Sequence, residues 1–357
     1  VKYNSASGKP ELHLEVSEKL NFYKVDDKLT SPILAATNAP PVVVFGTRAG
    51  YEDVLRVLAS DNINSRKLIS VWGGEFIDKF SLKELKGFDA VILNQYKYHN
   101  EDRAFDTLGK YVKDGGRVFI DSGGEVKDSN SSGLPELFPF KSSERKAVGR
   151  EWEISVETDE ILEGVKTSEF GPLVFNDDDW KLTVPTGNLR PGAKVLLRHR
   201  DKPVLVKMDY GQGKVVWSGI NLPYHYSQYK KNDEAKIFIN TIAQFTDVSD
   251  RKPLDVSPRW IRPEKVTLET FDKPRGILFK EEGYDGWSAR LTSGKRRTLP
   301  IYLAGPTYPG YMYVLLGNLD DSGKITMEFS YRGELVHWMQ AIVNFTSVIF
   351  ILEFVIF

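Results

Sequence analysis

Residues 88–124 read FDAVILNQYKYHNEDRAFDTLGKYVKDGGRVFIDSGG. The run FDAVILN (Phe88–Asn94) reads as a strand, with Ala90–Leu93 as its apolar centre. Glu101–Asp114 places Phe105, Leu108, Tyr111 and Val112 on one stripe, which predicts an amphipathic helix, and Gly115-Gly116 stops it. RVFID (Arg117–Asp121) is then a second buried strand. Strand, helix and strand at this spacing predict a parallel sheet with a right-handed crossover. The same grammar continues on both sides. PVVVFG (Pro41–Gly46) and KLISVWG (Lys67–Gly73) are further strands flanking a helix at Tyr51–Ser60, and Ser81 with Glu84 marks a short capped helix. EWEISV (Glu151–Val156), KVLLR (Lys194–Arg198), PVLVKMDY (Pro203–Tyr210) and KVVWS (Lys214–Ser218) follow as strands, the last two joined by a turn at Gly211-Gln212-Gly213. Glu234–Phe245 closes the set as a helix. Residues 41–246 are therefore expected to form one α/β domain.

The flanks differ. Residues 1–40 form an N-terminal strand region, in which Leu12, Leu14 and Val16 alternate with His13, Glu15 and Ser17. Residues 247–263, with Pro253, Pro258 and Pro263, read as a linker. Residues 264–333 carry short strands (KVTLET, GILFKE, WSARL, LPIYLA, YMYVLL, KITMEFSY) at roughly 8–12-residue spacing, the signature of a small antiparallel β-sandwich. Residues 334–357 end in WMQAIVNFTSVIFILEFVIF (Trp338–Phe357), 20 residues with Glu353 as the one charge. That length matches the ~30 Å hydrocarbon core of a bilayer, so a truncated transmembrane helix and an excised piece of a polytopic protein are expected.

Composition excludes several classes. With 48 Lys+Arg against 49 Asp+Glu, the chain lacks the basic excess that phosphate-backbone binding needs. It has no Cys, so a disulfide scaffold, a thiolate metal site and a thiol nucleophile are out. No cofactor is expected.

The marks FDAVILN, YVKDGGRVFIDSGG and GQGKVVWSGINLPYH, followed by a C-terminal helix, resemble the class I glutamine amidotransferase-like, flavodoxin-like fold over about 205 residues. GILFKEEGYDGWSARL, LPIYLAGPTYPGYMYVLL and KITMEFSYRGEL, leading into the apolar tail, resemble the extracytoplasmic region of polytopic membrane proteins of the 6-pyruvoyl-tetrahydropterin-synthase-related or C-type glycosyltransferase-like kind. That resemblance implies a membrane half outside this sequence, which would hold any glycosyl-transfer chemistry. It also implies folded domains outside the cell membrane and contact with the lipid bilayer through residues 338–357.

In the amidotransferases a Cys nucleophile follows the fourth strand. Here Ser122 stands at that turn, His225 in LPYHYSQ is the His placed to serve as base, and Glu125, Asp121 or Asp233 could orient it. The polar stretch Val126–Glu136 reads as a loop instead of the helix that a nucleophile elbow requires, which favours a non-catalytic reading. Loops after parallel strands converge on one crevice. Tyr96, Tyr98, His99, Ser122, Gly123, Tyr224 and Tyr226 are thus a candidate glycan-binding set, for a glycan or a lipid-linked sugar. Asp177, Asp178 and Asp179 are candidate cation ligands, against a solvated turn as the plainer reading. The expected function is a non-catalytic scaffold or a glycan- or partner-binding region of a membrane glycosyltransferase-like protein. The alternatives are a Ser122–His225 hydrolase and a cell-surface interaction component.

Overall fold

The computed structural model describes residues 34–252, 254, 256–271, 273–306, 308–317 and 324–333. Its centre is made by the apolar runs quoted above. Strands β2 (Pro41–Phe45), β3 (Ile69–Trp72), β4 (Ala90–Asn94) and β5 (Arg117–Asp121) lie side by side in the order β3-β2-β4-β5, all parallel. Every residue of β2 and β4 is buried, as a strand covered on both faces must be. Alternate residues feed two cores. Val42, Val44 and Ile92 face one, while Val43, Phe45, Val91 and Leu93 face the other. Helix α1 (Arg48–Ser60) covers the first face, and the short α2 (Leu82–Leu85) and α3 (Glu101–Lys113) cover the second. The cap expected at Ser81 is complete: its hydroxyl accepts from the Glu84 N–H while the Glu84 carboxylate accepts from the Ser81 N–H.

Beyond β5 the chain makes β6 (Ser143–Ala147), β7 (Ile154–Val156), β8 (Val174–Phe175), β9 (Asp178–Asp179) and β10 (Lys181–Pro185). It then makes the meander β11 (Ala193–His199), β12 (Lys202–Tyr210) and β13 (Gly213–Ser218). Strand β13 pairs parallel with β5, and β12, β11 and β7 extend the sheet antiparallel from it. Helices α4 (Leu222–Tyr229) and α5 (Asn232–Phe245) pack on the α1 side.

The expected fold class, a flavodoxin-like parallel sheet with a separate small sandwich and a transmembrane helix, is corrected on three counts. First, among the described residues the main sheet has twelve strands and is mixed, with only β3, β2, β4, β5 and β13 parallel. Second, strands assigned to the sandwich belong to this sheet. β16 (Gly276–Glu282), β19 (Tyr302–Ala304) and β20 (Tyr311–Leu315), with β1 (Leu34–Thr37), continue it past β3 in the order β1-β16-β20-β19-β3. The reason lies at the edge. Left alone, β3 would present a row of unpaired backbone groups, and β19 covers it with Leu303 opposite Trp72 and Ala304 opposite Val71. The remaining strands, β14 (Ser257–Arg262), β15 (Lys265–Thr270), β17 (Trp287–Leu291), β18 (Arg297–Leu299) and β21 (Ile325–Tyr331), form a five-stranded antiparallel sheet. It packs on the β1-β16-β20 flank through Leu34, Ile277, Phe279, Met312, Leu268 and Phe329. The described residues thus carry many more strands than helices. Third, among the described residues no helix is long and apolar enough to cross a membrane, so a transmembrane helix is not part of the described fold. The stretch 338–357, like the strand expected at residues 12–17, lies outside the described residues.

Two local readings also change. Residues 257–262, read as linker, are strand β14. LPYHYSQY, read as loop, is helix α4, with Pro223 in its first turn and left-handed residues Asn221 and Lys230 at its two ends.

Candidate functional site

The carboxyl ends of β5 and β13 bring the candidate residues together. Asp121, the last residue of β5, is buried. Its carboxylate accepts from the backbone N–H groups of Gly123 (2.9 Å), Asn221 (2.9 Å) and Leu222 (2.6 Å). Burial pushes its pKa up to about 6 against the pull of these donors. The two loops are therefore tied to each other, and they touch: a β-carbon on Gly123 would fall 1.9 Å from the Asn221 nitrogen.

Ser122 follows inside this closure with no exposed surface. Its N–H donates to the Ser218 carbonyl (2.9 Å), and its own carbonyl accepts from Thr183 (2.6 Å) and Ser129 (2.9 Å). Its hydroxyl oxygen accepts from the indole N–H of Trp217 at 2.5 Å. A serine nucleophile needs a base on its hydroxyl and a path for substrate, and this one has an indole donor and no opening.

His225 lies in α4, also with no exposed surface. Its Nδ1 is 2.7 Å from Glu234 Oε2 and its Nε2 is 3.2 Å from the Pro172 carbonyl. Since a carbonyl oxygen only accepts, Nε2 donates to Pro172. The second carboxylate oxygen of Glu234 accepts from the Gly171 N–H at 2.6 Å. Trp180 meets the ring edge-on at 4.5 Å between centroids, with Tyr229 at 4.8 Å. Among the described residues Ser122 and His225 share neither a hydrogen bond nor a partner. The carboxylates considered from sequence are elsewhere. Glu125 is exposed beside Arg145, 3.3 Å away, and Asp233 accepts from the Lys166 N–H and pairs with Lys236. Glu234 was overlooked, although it shares the stripe of Ile237, Phe238 and Ile242 on α5 and so had to face the core.

The aromatic set does not line one crevice. Tyr96 and Tyr98 belong to the α3 side of the sheet, where both hydroxyls donate to the buried Asp128 at 2.5 and 2.9 Å. Burial raises the pKa values of both tyrosines and of Asp128. Tyr224 and Tyr226 lie on the opposite, α1 side. Tyr224 stacks on Trp180 at 5.7 Å, and Tyr226 is buried. His99 is exposed and stacks on Phe76 at 3.9 Å, its backbone N–H donating to Asp78. At Asp177–Asp179, Arg150 donates to the Asp179 carboxylate and the Asp177 carbonyl, both at 2.8 Å. Among the described residues no cluster of His, Asp and Glu could hold a metal ion.

The strand order reverses between β2 and β4, the position where open α/β sheets bind ligands. Here that position is filled by protein. A β-carbon on Gly46 would lie 1.8 Å from the Asn94 carbonyl oxygen, and Asn94 donates to the Gly50 carbonyl at 2.9 Å. Thr47 donates to the Gln95 side chain at 2.8 Å, and Asp53 accepts from Ser227 and Arg56, each at 2.7 Å. Sequence reasoning passed over this cluster because its members are far apart in the chain and share no spacing motif.

No family model matches the sequence, and no curated protein matches it. Solved structures with partial likeness include the cytoplasmic protein STM1381 from Salmonella typhimurium LT2, at 14% identity and a TM-score of 0.42, covering 58% of this chain and 100% of that one. A beta-galactosidase from Bacillus circulans sp. alkalophilus matches at 13% identity and a TM-score of 0.38, over 82% of this chain and 42% of that one. The mmIFT52 N-terminal domain matches at 16% identity and a TM-score of 0.33, over 57% of this chain and 96% of that one. At these values the likeness bears on neither activity nor ligand.

Proposed function

We propose that this chain is a non-catalytic scaffold that binds a partner. The observation that carries the reading is the use of both candidate catalytic groups for structure: the Ser122 hydroxyl is held by Trp217, and the His225 imidazole is held between Glu234 and Pro172, each without exposed surface. The resulting clusters cross-link loops and helices and leave no reacting atom within reach of solvent. A fluorophosphonate probe, which labels activated serines, tests this. The intact protein is expected to stay unlabelled, and Ser122→Ala is expected to leave any co-purifying hydrolytic activity unchanged. Stoichiometric labelling at Ser122 would establish the hydrolase alternative instead.

A further inference from the structure

Strand β14 is the outer strand of the five-stranded sheet, paired with β15 and, among the described residues, with no other strand. All six of its residues, Ser257 to Arg262, are exposed. An edge strand turns alternate N–H and C=O groups outward, where another strand can pair with them. Trp260 and Ile261 remain 47% and 51% exposed. In the β14–β15 register Trp260 stands opposite Val266, which is fully buried between the two sheets, and its ring lies 6.1 Å from that of Phe279. Trp260 is therefore on the core-facing side, at the place where the core runs out. One further strand alongside β14 would cover it.

The charge on this edge limits what that strand can be. Arg259 and Arg262 are the charged residues of β14, and neither has an ion-pair partner among the described residues. A second copy pairing antiparallel with β14 would set arginines against arginines, which destabilises a cross-strand pair. Pro258 has no N–H to offer, and the register shift between Trp260 and Arg262 interrupts the repeat a self-pairing ladder needs. These features reject like strands and leave an opposite charge as the complement.

We propose that β14 is the docking edge for an extended segment of a partner protein in which acidic and apolar residues alternate. The segment adds as a sixth strand, its carboxylates on Arg259 and Arg262 and its apolar side on Trp260. This rests on the partner-binding reading above and gives it a surface and a partner chemistry.

The experiment uses the intact chain and a fluorescein-labelled peptide, Glu-Leu-Glu-Val-Glu-Leu-Glu, followed by fluorescence anisotropy. Its lysine counterpart is the control. The acidic peptide is expected to bind at least about ten-fold more tightly, with the preference falling as salt rises. Arg259→Glu together with Arg262→Glu should reverse it. Methylating alternate peptide nitrogens should abolish binding without any change to the protein, because main-chain pairing is then blocked. Equal binding of both peptides, or undiminished binding of the methylated one, overturns the proposal. So does a dimer in sedimentation that Ile261→Glu dissolves, since the occupant is then a second copy. Residues 11–16 (ELHLEV) also carry acidic and apolar residues in alternation, so a gain in peptide affinity of about ten-fold on Glu11→Lys with Glu15→Lys overturns it too, since the chain then fills its own edge. Fluorophosphonate labelling of Ser122 would remove the non-catalytic reading and leave these outcomes as they are, so the two can fail separately.

Discussion

Glu234 of α5 grips His225 of α4 at 2.7 Å in a place that solvent does not reach. Through Gly171 and Pro172 the same pair also fixes the segment leading into β8. Removing one partner of this buried hydrogen-bonded pair leaves the other unsatisfied, at a cost of about 1–3 kcal/mol. His225→Ala is expected to lose that much in urea denaturation. Replacing both residues by apolar ones (His225→Leu with Glu234→Met) should cost clearly less than the sum of the single losses. Additive losses would mean that the pair is not coupled.

Asp121 makes stability depend on pH in an unusual direction. Its pKa in the folded chain is raised to about 6, above the ordinary carboxylate value of 3.8. The folded state therefore holds the proton more tightly than the unfolded state. The contribution is fully present below pH ~4 and is lost as pH rises through ~6, a change of roughly 3 kcal/mol for a shift of this size. Denaturation curves of the protein and of Asp121→Asn, taken from pH 4 to 7.5, isolate this group. The difference between them should slope downward for the wild-type chain across that window, and a flat difference would contradict the assignment.

The contact between the β5 and β13 loops leaves no space for a side chain at position 123, where a β-carbon would meet backbone atoms of Ile220 and Asn221. Gly123→Ala is expected to destabilise by at least about 3 kcal/mol, because backbone would have to move. Gly133→Ala is the matched control. Nothing lies within 4 Å of its added carbon, and its melting temperature should stay close to that of the parent.

Arg275, just before β16, reaches across to Asp89, just before β4. Its Nη1 donates to Asp89 Oδ2 at 2.8 Å, its Nη2 pairs with Oδ1, and Thr246 donates to the same carboxylate at 2.9 Å. Lysine cannot reproduce the two-pronged contact. Arg275→Lys is expected to cost about 1 kcal/mol, kept small by partial exposure, and Asp89→Asn a similar amount, with the double variant no worse than either single. A double-mutant cycle measures it.

Much of this structure was written in local pattern. The unbroken burial of β2 and β4, the stripe of α3, the capping box at Ser81 and the tight turn at Gly211–Gly213 follow from residue types a few positions apart. The merger of the late strands with the main sheet was less visible, because β19 joins β3 through main-chain hydrogen bonds that no side-chain spacing encodes. One hint existed. GILF (Gly276–Phe279) has no polar residue in alternation, which suits a strand sheltered on both faces better than one of an isolated sandwich, and all four residues are buried. At the candidate site, Ser122 looked like an elbow residue because the turn around it is Gly-rich. What decides its role is Trp217, almost a hundred positions away. Helix α4 was hidden for a similar reason: its ends are set by left-handed residues whose conformation depends on their surroundings.

The pairing of β19 with β3 sets a timetable for synthesis. A ribosome that has released residue 72 must still deliver Tyr302–Ala304 before the side of that strand is protected, and Leu34–Thr37 waits for Gly276–Phe279 in the same way. For more than two hundred residues of elongation the nascent polypeptide carries adhesive β-edges at both places, the window in which chaperones intercept growing chains. Fragments cut after α5 are expected to precipitate for the same reason.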